Sequence, residues 1–340
     1  MFASINRLAV RLVVAALILV AVGFFVTSHT GTSGSSQFHH QQVTQAGDID
    51  AWAHRRSKLG FDEIYVVTAG FHAWRAKGLK AAAERTKLAL TFLPQPQWTD
   101  EEKKAFHAGD KYETWKLPGS TGCWLGHIHI LKHFLYETDQ ETALLLEDDA
   151  DWDVDIKTQV VRAQNALRRL TGMITADPWG TAWDVLYLGH CGDRFAKANV
   201  VYKDSAVPKI SEYDGFHYGT MDGFPPGLRA VHESTRPVCT YGYAVTRSGA
   251  EKILELSHDA KAIDTRMGRA CKTGEMNCYT INPELIHHHV PAGDAPSEIQ
   301  AKQHVSLRAW TANILHSARC NANRGDNELI SCSTPEVPKS

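Results

Sequence analysis

No two cysteines in this chain are spaced Cys-x-x-Cys, which argues against a structural zinc site built on that pattern. Charge of one sign is equally scarce. The 36 Lys and Arg nearly balance the 38 Asp and Glu, leaving a formal net charge of −2. So small an imbalance creates no field that would favour nucleic acid, and a nucleic-acid partner is excluded from the expectations. Internal repeats are also missing. A third scarcity is local: residues 27–47 contain no Asp, Glu, Lys or Arg and are dominated by Ser, Thr, Gly, Gln and His. Such a stretch has little to pack and is expected to be a flexible stem.

Just before this stretch lies an uncharged apolar run over 12–26, preceded by Arg7 and Arg11. It is short for a membrane span, which takes about 17–25 residues, but residues 8–10 and a snorkelling Arg11 extend it. The two arginines place the preceding residues in the cytosol and everything after the run in the lumen. A cleaved signal peptide is the alternative, with an apolar core of about 7–15 residues, although no clean Ala-x-Ala site follows. The expected organisation is a cytosolic tail over 1–11, a signal anchor over 12–27 and a luminal stem over 28–60. A single catalytic domain over 61–320 and a polar tail over 321–340 complete it. That is a type II protein of the Golgi or ER membrane. The short run favours the thinner Golgi bilayer, and no Lys-Asp-Glu-Leu-type signal ends the chain.

The body has 43% hydrophobic and 22% charged residues, enough to bury a core. Short apolar, β-branched runs alternate with amphipathic stretches. Strands are expected over 64–67, 88–93, 143–146, 184–188, 242–246 and 278–281, and helices over 73–86, 123–137, 155–170, 248–257 and 264–272. This β–α alternation predicts a largely parallel sheet covered on both faces. Regularity fails over 190–237, a glycine- and aromatic-rich segment expected to shape a binding pocket. The seven cysteines suit an oxidising lumen, and their odd number leaves at least one outside any internal pairing. Cys271 with Cys278 and Cys320 with Cys332 close the shortest loops, but spacing alone does not settle connectivity.

The chemistry-bearing residues concentrate at strand ends. Glu147, Asp148 and Asp149 follow the run Leu144-Leu145-Leu146, at the carboxyl edge where open α/β sheets bind ligands. Three adjacent carboxylates repel one another, and a hard cation such as Mn²⁺ or Mg²⁺ would relieve them. The plainer reading is a charged strand exit. His287-His288-His289 also ends an apolar run. Strand alternation puts His287 and His289 on one face, as candidate metal ligands beside Asp148 and Asp149, or as core histidines. Gly122, Cys123 and His127 open a helix whose N-terminus suits an anion, or merely caps and packs.

In order, these pieces resemble glycosyltransferase family 25, the group of lipooligosaccharide and collagen galactosyltransferases. The likeness is carried by the strand over 64–67, the stretch 119–127, Leu145-Leu146-Glu147-Asp148-Asp149 and Trp183-Asp184-Val185-Leu186-Tyr187-Leu188-Gly189. Thr240-Tyr241-Gly242-Tyr243-Ala244-Val245-Thr246 with Gly249-Ala250, and then Ala262-Ile263-Asp264, complete it. The resemblance implies a GT-A-like, Rossmann-like fold, a UDP-sugar donor such as UDP-galactose, and inversion at the anomeric carbon. It implies a metal centred on Asp149 and donor contacts from Val67, Thr68, Arg75, Gly122, Cys123, His127, Glu147 and Asp148. Gly126 stands where relatives carry serine, and Thr68-Ala69-Gly70 with Arg75 replaces their Asn-Leu and arginine pair. An inverting transfer needs a base for the acceptor hydroxyl. Asp264 is the candidate, with helix capping as its plainer role and Asp151 and Glu233 in reserve.

The expected activity is therefore metal-dependent transfer of a sugar from a UDP-sugar to a glycan or glycoprotein hydroxyl. The competing readings are a metal-dependent hydrolase and an inactive, lectin-like family member.

Overall fold

The computed structural model describes residues 53–68, 73–106, 120–208, 224–256, 262–293 and 305–332. The chain divides into two units, 1–48 and 49–340, and the described residues belong to the second. The expected anchor, most of the expected stem and residues 209–223 of the irregular segment lie outside the described residues. Among the described residues, no helix is long and apolar enough to cross a membrane.

Among the described residues, eleven strands form one sheet system. The main path runs β2 (Thr91–Phe92), β1 (Glu63–Val67), β3 (Thr142–Glu147), β8 (Gly242–Thr246), β5 (Val185–Gly189), β9 (Cys278–Asn282), β7 (Leu228–Glu233) and β6 (Asn199–Lys203). A branch of β4 (Ala150–Trp152), β10 (Ile286–Val290) and β11 (Trp310–Thr311) joins through β10 beside the end of β5. Helices α1 (Ala73–Thr86), α2 (Asp100–Phe106), α3 (Ser120–Glu137), α4 (Ile156–Thr171), α5 (Arg247–Glu255) and α6 (Ile263–Thr273) accompany the sheet. The fold is mixed α/β.

The central strands are apolar on both sides because both faces are covered. Ile64, Val66, Leu144, Leu146, Leu186 and Leu188 point into a core shared with α1 and α4. The alternate residues Tyr65, Val67, Ala143, Leu145, Val185 and Tyr187 enter a second core with α3, α5 and α6. This two-sided division decides where the site residues point.

The expectation of a mostly parallel sheet is corrected. β1–β2, β1–β3, β5–β9 and β5–β10 are parallel, whereas β3–β8, β5–β8, β7–β9, β6–β7, β4–β10 and β10–β11 are antiparallel. Strand β8 lies reversed between β3 and β5. Among the described residues of 190–237 there is no helix, so the crossover that a parallel neighbour needs is missing there. That segment also contains β6 and β7, which pair antiparallel where the sequence pattern is irregular.

Three disulfides form: Cys191–Cys239, Cys271–Cys278 and Cys320–Cys332, with Cys123 in none of them. Both short-loop pairs agree with the spacing argument. The expected polar tail is held as far as Cys332: Asn321 is buried and its amide bonds Ile330 O (3.0 Å) and Ile330 N (2.9 Å). The last residues assigned to the stem are packed as well. Leu59 is buried, and its carbonyl accepts from Trp179 Nε1 at 2.9 Å and Gln164 Nε2 at 3.2 Å.

Gly249 explains one of the quoted motifs. Thr246 caps α5, its hydroxyl accepting from Gly249 N at 3.2 Å. A Cβ on Gly249 would lie 1.9 Å from the backbone oxygen of Asp184, at the start of β5. Alanine is a better helix former by about 1 kcal/mol, yet no side chain can move aside. Gly249→Ala is expected to lose about 1–3 kcal/mol by the overpacking rule, measured as a lower urea midpoint. An unchanged or raised midpoint would refute this close-approach account.

Candidate functional site

Strands β1, β3 and β5 all end at one edge of the sheet, and the acidic triplet emerges there. The end of β3 at Glu147 and the turn at Asp148-Asp149 divide it. Glu147 continues the alternation of Ala143 and Leu145 toward α3, where Thr240 Oγ1 donates to its Oε1 at 2.7 Å. His127 Nε2 stands 3.4 Å from the same oxygen. Asp148 and Asp149 turn to α1. There Arg75 Nη1 meets Asp148 Oδ1 at 2.8 Å and Asp149 Oδ2 at 2.7 Å, and the Thr68 hydroxyl donates to Asp148 Oδ2. Both aspartates and Arg75 are buried.

Two different electrostatic states result. Burial, reinforced by the neighbouring Asp149, pushes the Asp148 carboxyl up to about 6 against the hydrogen bonds from Thr68 and Arg75. Burial also pushes Asp149 upward, but His288, Arg75 and Arg319 outweigh it and hold its carboxyl well below the usual carboxylate range. His288 Nε2 lies 3.5 Å from Asp149 Oδ2. Asp149 Oδ1 is buried without a hydrogen-bond partner. Arg319 clasps the turn from outside the triplet, donating to Asp148 O at 2.6 Å and Ala150 O at 2.8 Å.

The assignment of His287 and His289 as ligands beside Asp149 is corrected. The two share a face, as alternation required, but it is the face packed around Asp151 and Glu284. His287 Nδ1 lies 3.4 Å from Glu284 Oε1, and His289 Nδ1 bonds Thr311 Oγ1 at 2.8 Å. Burial lowers the His289 imidazole to about 4. His288, one step out of phase, is the histidine that faces the aspartates.

Asp264 stands on the triplet's edge. Its Oδ2 accepts from Cys239 N at 2.9 Å and its Oδ1 from Thr265 N at 2.6 Å, so it holds the turn before β8 as well as the start of α6. Cys239 has a positive φ of 68° and carries one end of a disulfide. The two reserve residues stand in other surroundings. Asp151 is fully buried among hydrogen bonds from Thr311 Oγ1 (2.7 Å), Trp152 N (2.8 Å), Arg319 N (3.2 Å) and the Ser317 hydroxyl. Glu233 ends β7 paired with Tyr279, near the opposite edge of the sheet.

Of the donor-contact set, the structure brings Thr68, Arg75 and Asp148 together on one side of β3. Cys123, His127 and Glu147 gather on the other. Val67 is buried beside Gly126, where a Cβ would come within 3.1 Å of Val67 Cγ1; glycine permits that approach of α3 to β1. Gly122, in the first turn of α3, has nothing within 4 Å of an added Cβ. Sequence reasoning missed His288, Arg319 and Thr240 as site residues. The phase of β10 against β4 identifies the first; the other two carry no local signal.

No protein-family model matches this chain, and no curated protein matches it. Among solved structures, the crystal structure of A197 from STIV is similar over 72% of this chain and 95% of that one. The TM-score is 0.32 and the identity 11%, and a likeness this loose carries no argument.

Proposed function

We propose that this chain is a metal-dependent, inverting glycosyltransferase of GT-A-like fold. It would transfer a sugar, galactose by the family resemblance, from a UDP-sugar to a hydroxyl of a glycan or glycoprotein. The observation that carries this reading is the Asp148–Asp149 pair at the carboxyl edge of β3, with Asp149 Oδ1 buried and lacking a hydrogen-bond partner. Such an acceptor fits a divalent cation, so Asp149, supported by Asp148, would hold Mn²⁺ or Mg²⁺. The cation would supply Lewis-acid neutralisation of a diphosphate leaving group. Thr68 and Arg75 orient the two aspartates. Asp264, on the same edge, is assigned the acceptor proton.

Arg75 favours a second reading. Its guanidinium already bridges both aspartates at the place a cation would occupy. An inactive, glycan-binding member of the family would need no more than that.

The deciding experiment is thermal unfolding of the full-length protein in detergent, with UDP-sugars in the presence and absence of Mn²⁺. A donor at about 100 times its dissociation constant adds roughly 2.7 kcal/mol to the native state. The expected result is stabilisation that needs Mn²⁺ and disappears in Asp149→Ala. No stabilisation by any UDP-sugar, or one indifferent to Mn²⁺ and to Asp149, would overturn the transferase reading.

A further inference from the structure

The other side of the divided triplet carries a second constellation, Cys123, His127 and Glu147, to which the family resemblance gives donor contacts but no metal. Cys123 and His127 are four residues apart on α3, so their side chains share a face of the helix. That face looks onto Glu147. One donor atom from each residue, the Cys123 Sγ, a His127 ring nitrogen and a Glu147 carboxylate oxygen, lies within 4.8 Å of the other two. Cys123 is the one cysteine of the seven outside the three disulfides.

The histidine is aimed. His127 is fully buried, and its Nδ1 is 3.0 Å from the Tyr243 hydroxyl, while its Nε2 has no hydrogen-bond partner. At 3.4 Å from Glu147 Oε1, Nε2 is too distant for a good hydrogen bond. Thr240 restrains Glu147 from the other side at 2.7 Å. Each orienting contact is of the kind that fixes metal ligands. In the tautomer where Nδ1–H donates to the Tyr243 hydroxyl oxygen, the Nε2 lone pair faces the site, and a donor on the carboxylate sets its rotamer.

We propose that Cys123, His127 and Glu147 bind a transition-metal ion of the Zn²⁺ class. The donor set is thiolate, imidazole and carboxylate, which selects a borderline-soft ion over the hard Mn²⁺ or Mg²⁺ suited to Asp149. Three protein ligands leave one tetrahedral position for water or a substrate oxygen, and the Glu147 side chain, 25% exposed, opens that position to solvent. A Zn²⁺ tetrahedron with bonds of about 2.0–2.3 Å has ligand separations of roughly 3.3–3.8 Å, so capture requires a closure of at most about 1.5 Å. Glu147 and Asp149 leave the strand toward different helices, so the site stands apart from the proposed donor cation. The absence of a Cys-x-x-Cys pair, which argued against zinc from spacing, does not bear on a site whose third ligand comes from another element.

The test is Co²⁺ titration of the full-length protein in detergent, followed by absorption and competed with Zn²⁺. With a single thiol in the chain, a near-ultraviolet thiolate-to-cobalt band reports on Cys123 alone. The expected result is a band that saturates at one equivalent and is displaced by one equivalent of Zn²⁺. It should be absent in Cys123→Ser, lost in His127→Gln and Glu147→Gln, and unchanged in Asp149→Ala. Tyr243→Phe should weaken Co²⁺ binding about 10- to 100-fold, as removal of an orienting partner does. A wild-type protein with no band would overturn the proposal. So would a band that survives in both His127→Gln and Glu147→Gln, since that is a bare thiol collecting metal. Cooperative unfolding of each variant shows that loss of the band is not loss of the fold. The readout needs no UDP-sugar, so failure here leaves the transferase reading standing, and the converse also holds.

Discussion

Arg75→Met is expected to destabilise the protein by about 3–5 kcal/mol, the cost of leaving buried carboxylates without their cation. The residue is buried, and one of its nitrogens lies within 2.8 Å of both Asp148 and Asp149. His288 and Arg319 would remain near Asp149, but the two aspartates would face each other with far less compensation. The loss should depend on pH, with a definite sign. In the wild type the Asp148 carboxyl is raised to about 6, above its unfolded value, so its contribution is fully present at acid pH and is lost as pH rises through 6. Without Arg75 that carboxyl rises further. Urea denaturation of both proteins at pH 5 and pH 8 should therefore show a larger difference at pH 8. Equal differences at the two pH values would mean that Arg75 acts through packing and not through charge.

The second large effect concerns Asp151, which serves the architecture. Its two oxygens gather donors from Trp152 on β4, Thr311 on β11, Ser317 and Arg319, fastening the chain beyond β11 to the middle of the molecule. Asp151→Ala would strand several buried donors at about 1–3 kcal/mol each, and a total near 4 kcal/mol is expected. Asp151→Asn should cost less, because one carbonyl oxygen survives and the two hydroxyls can rotate to meet the new amide. Thermal unfolding of the pair checks the order. If Asp151→Ala unfolded like the wild type but abolished turnover, the residue would belong to the chemistry instead.

Much of the scaffold was legible from local pattern. The runs Ile64-Tyr65-Val66-Val67, Leu144-Leu145-Leu146 and Gly242-Tyr243-Ala244-Val245 became central strands because continuous apolar character is what a two-sided core requires. The helix over 73–86 agrees residue for residue, and α3 begins three residues before its expected start. Strand direction was not legible, since a run of β-branched residues reads identically in either sense. Strand β6 was hidden by its surface position, with every second residue exposed. The 48-residue separation of Cys191 and Cys239 placed that disulfide beyond any spacing argument.

In the site, the triplet and Arg75 could be named from sequence, but their grouping could not. Adjacent letters suggested one cluster of three carboxylates. The last residue of the strand, Glu147, goes to one helix, and the turn that follows gives the two aspartates to another. The histidine run failed for a related reason: alternation was foreseen correctly, but its phase was not, because the phase is set by pairing of His288 with Ala150 on a strand of three residues.

The pleat of β3 also makes the two half-sites share a reading frame. Removing or adding one residue within the strand would rotate everything downstream to the opposite side. Glu147 would then be delivered toward Arg75 and an aspartate toward His127, so both sets of partnerships would fail together. Helices α1 and α3, on opposite faces, are thereby coupled through the length of a six-residue strand that neither of them contains.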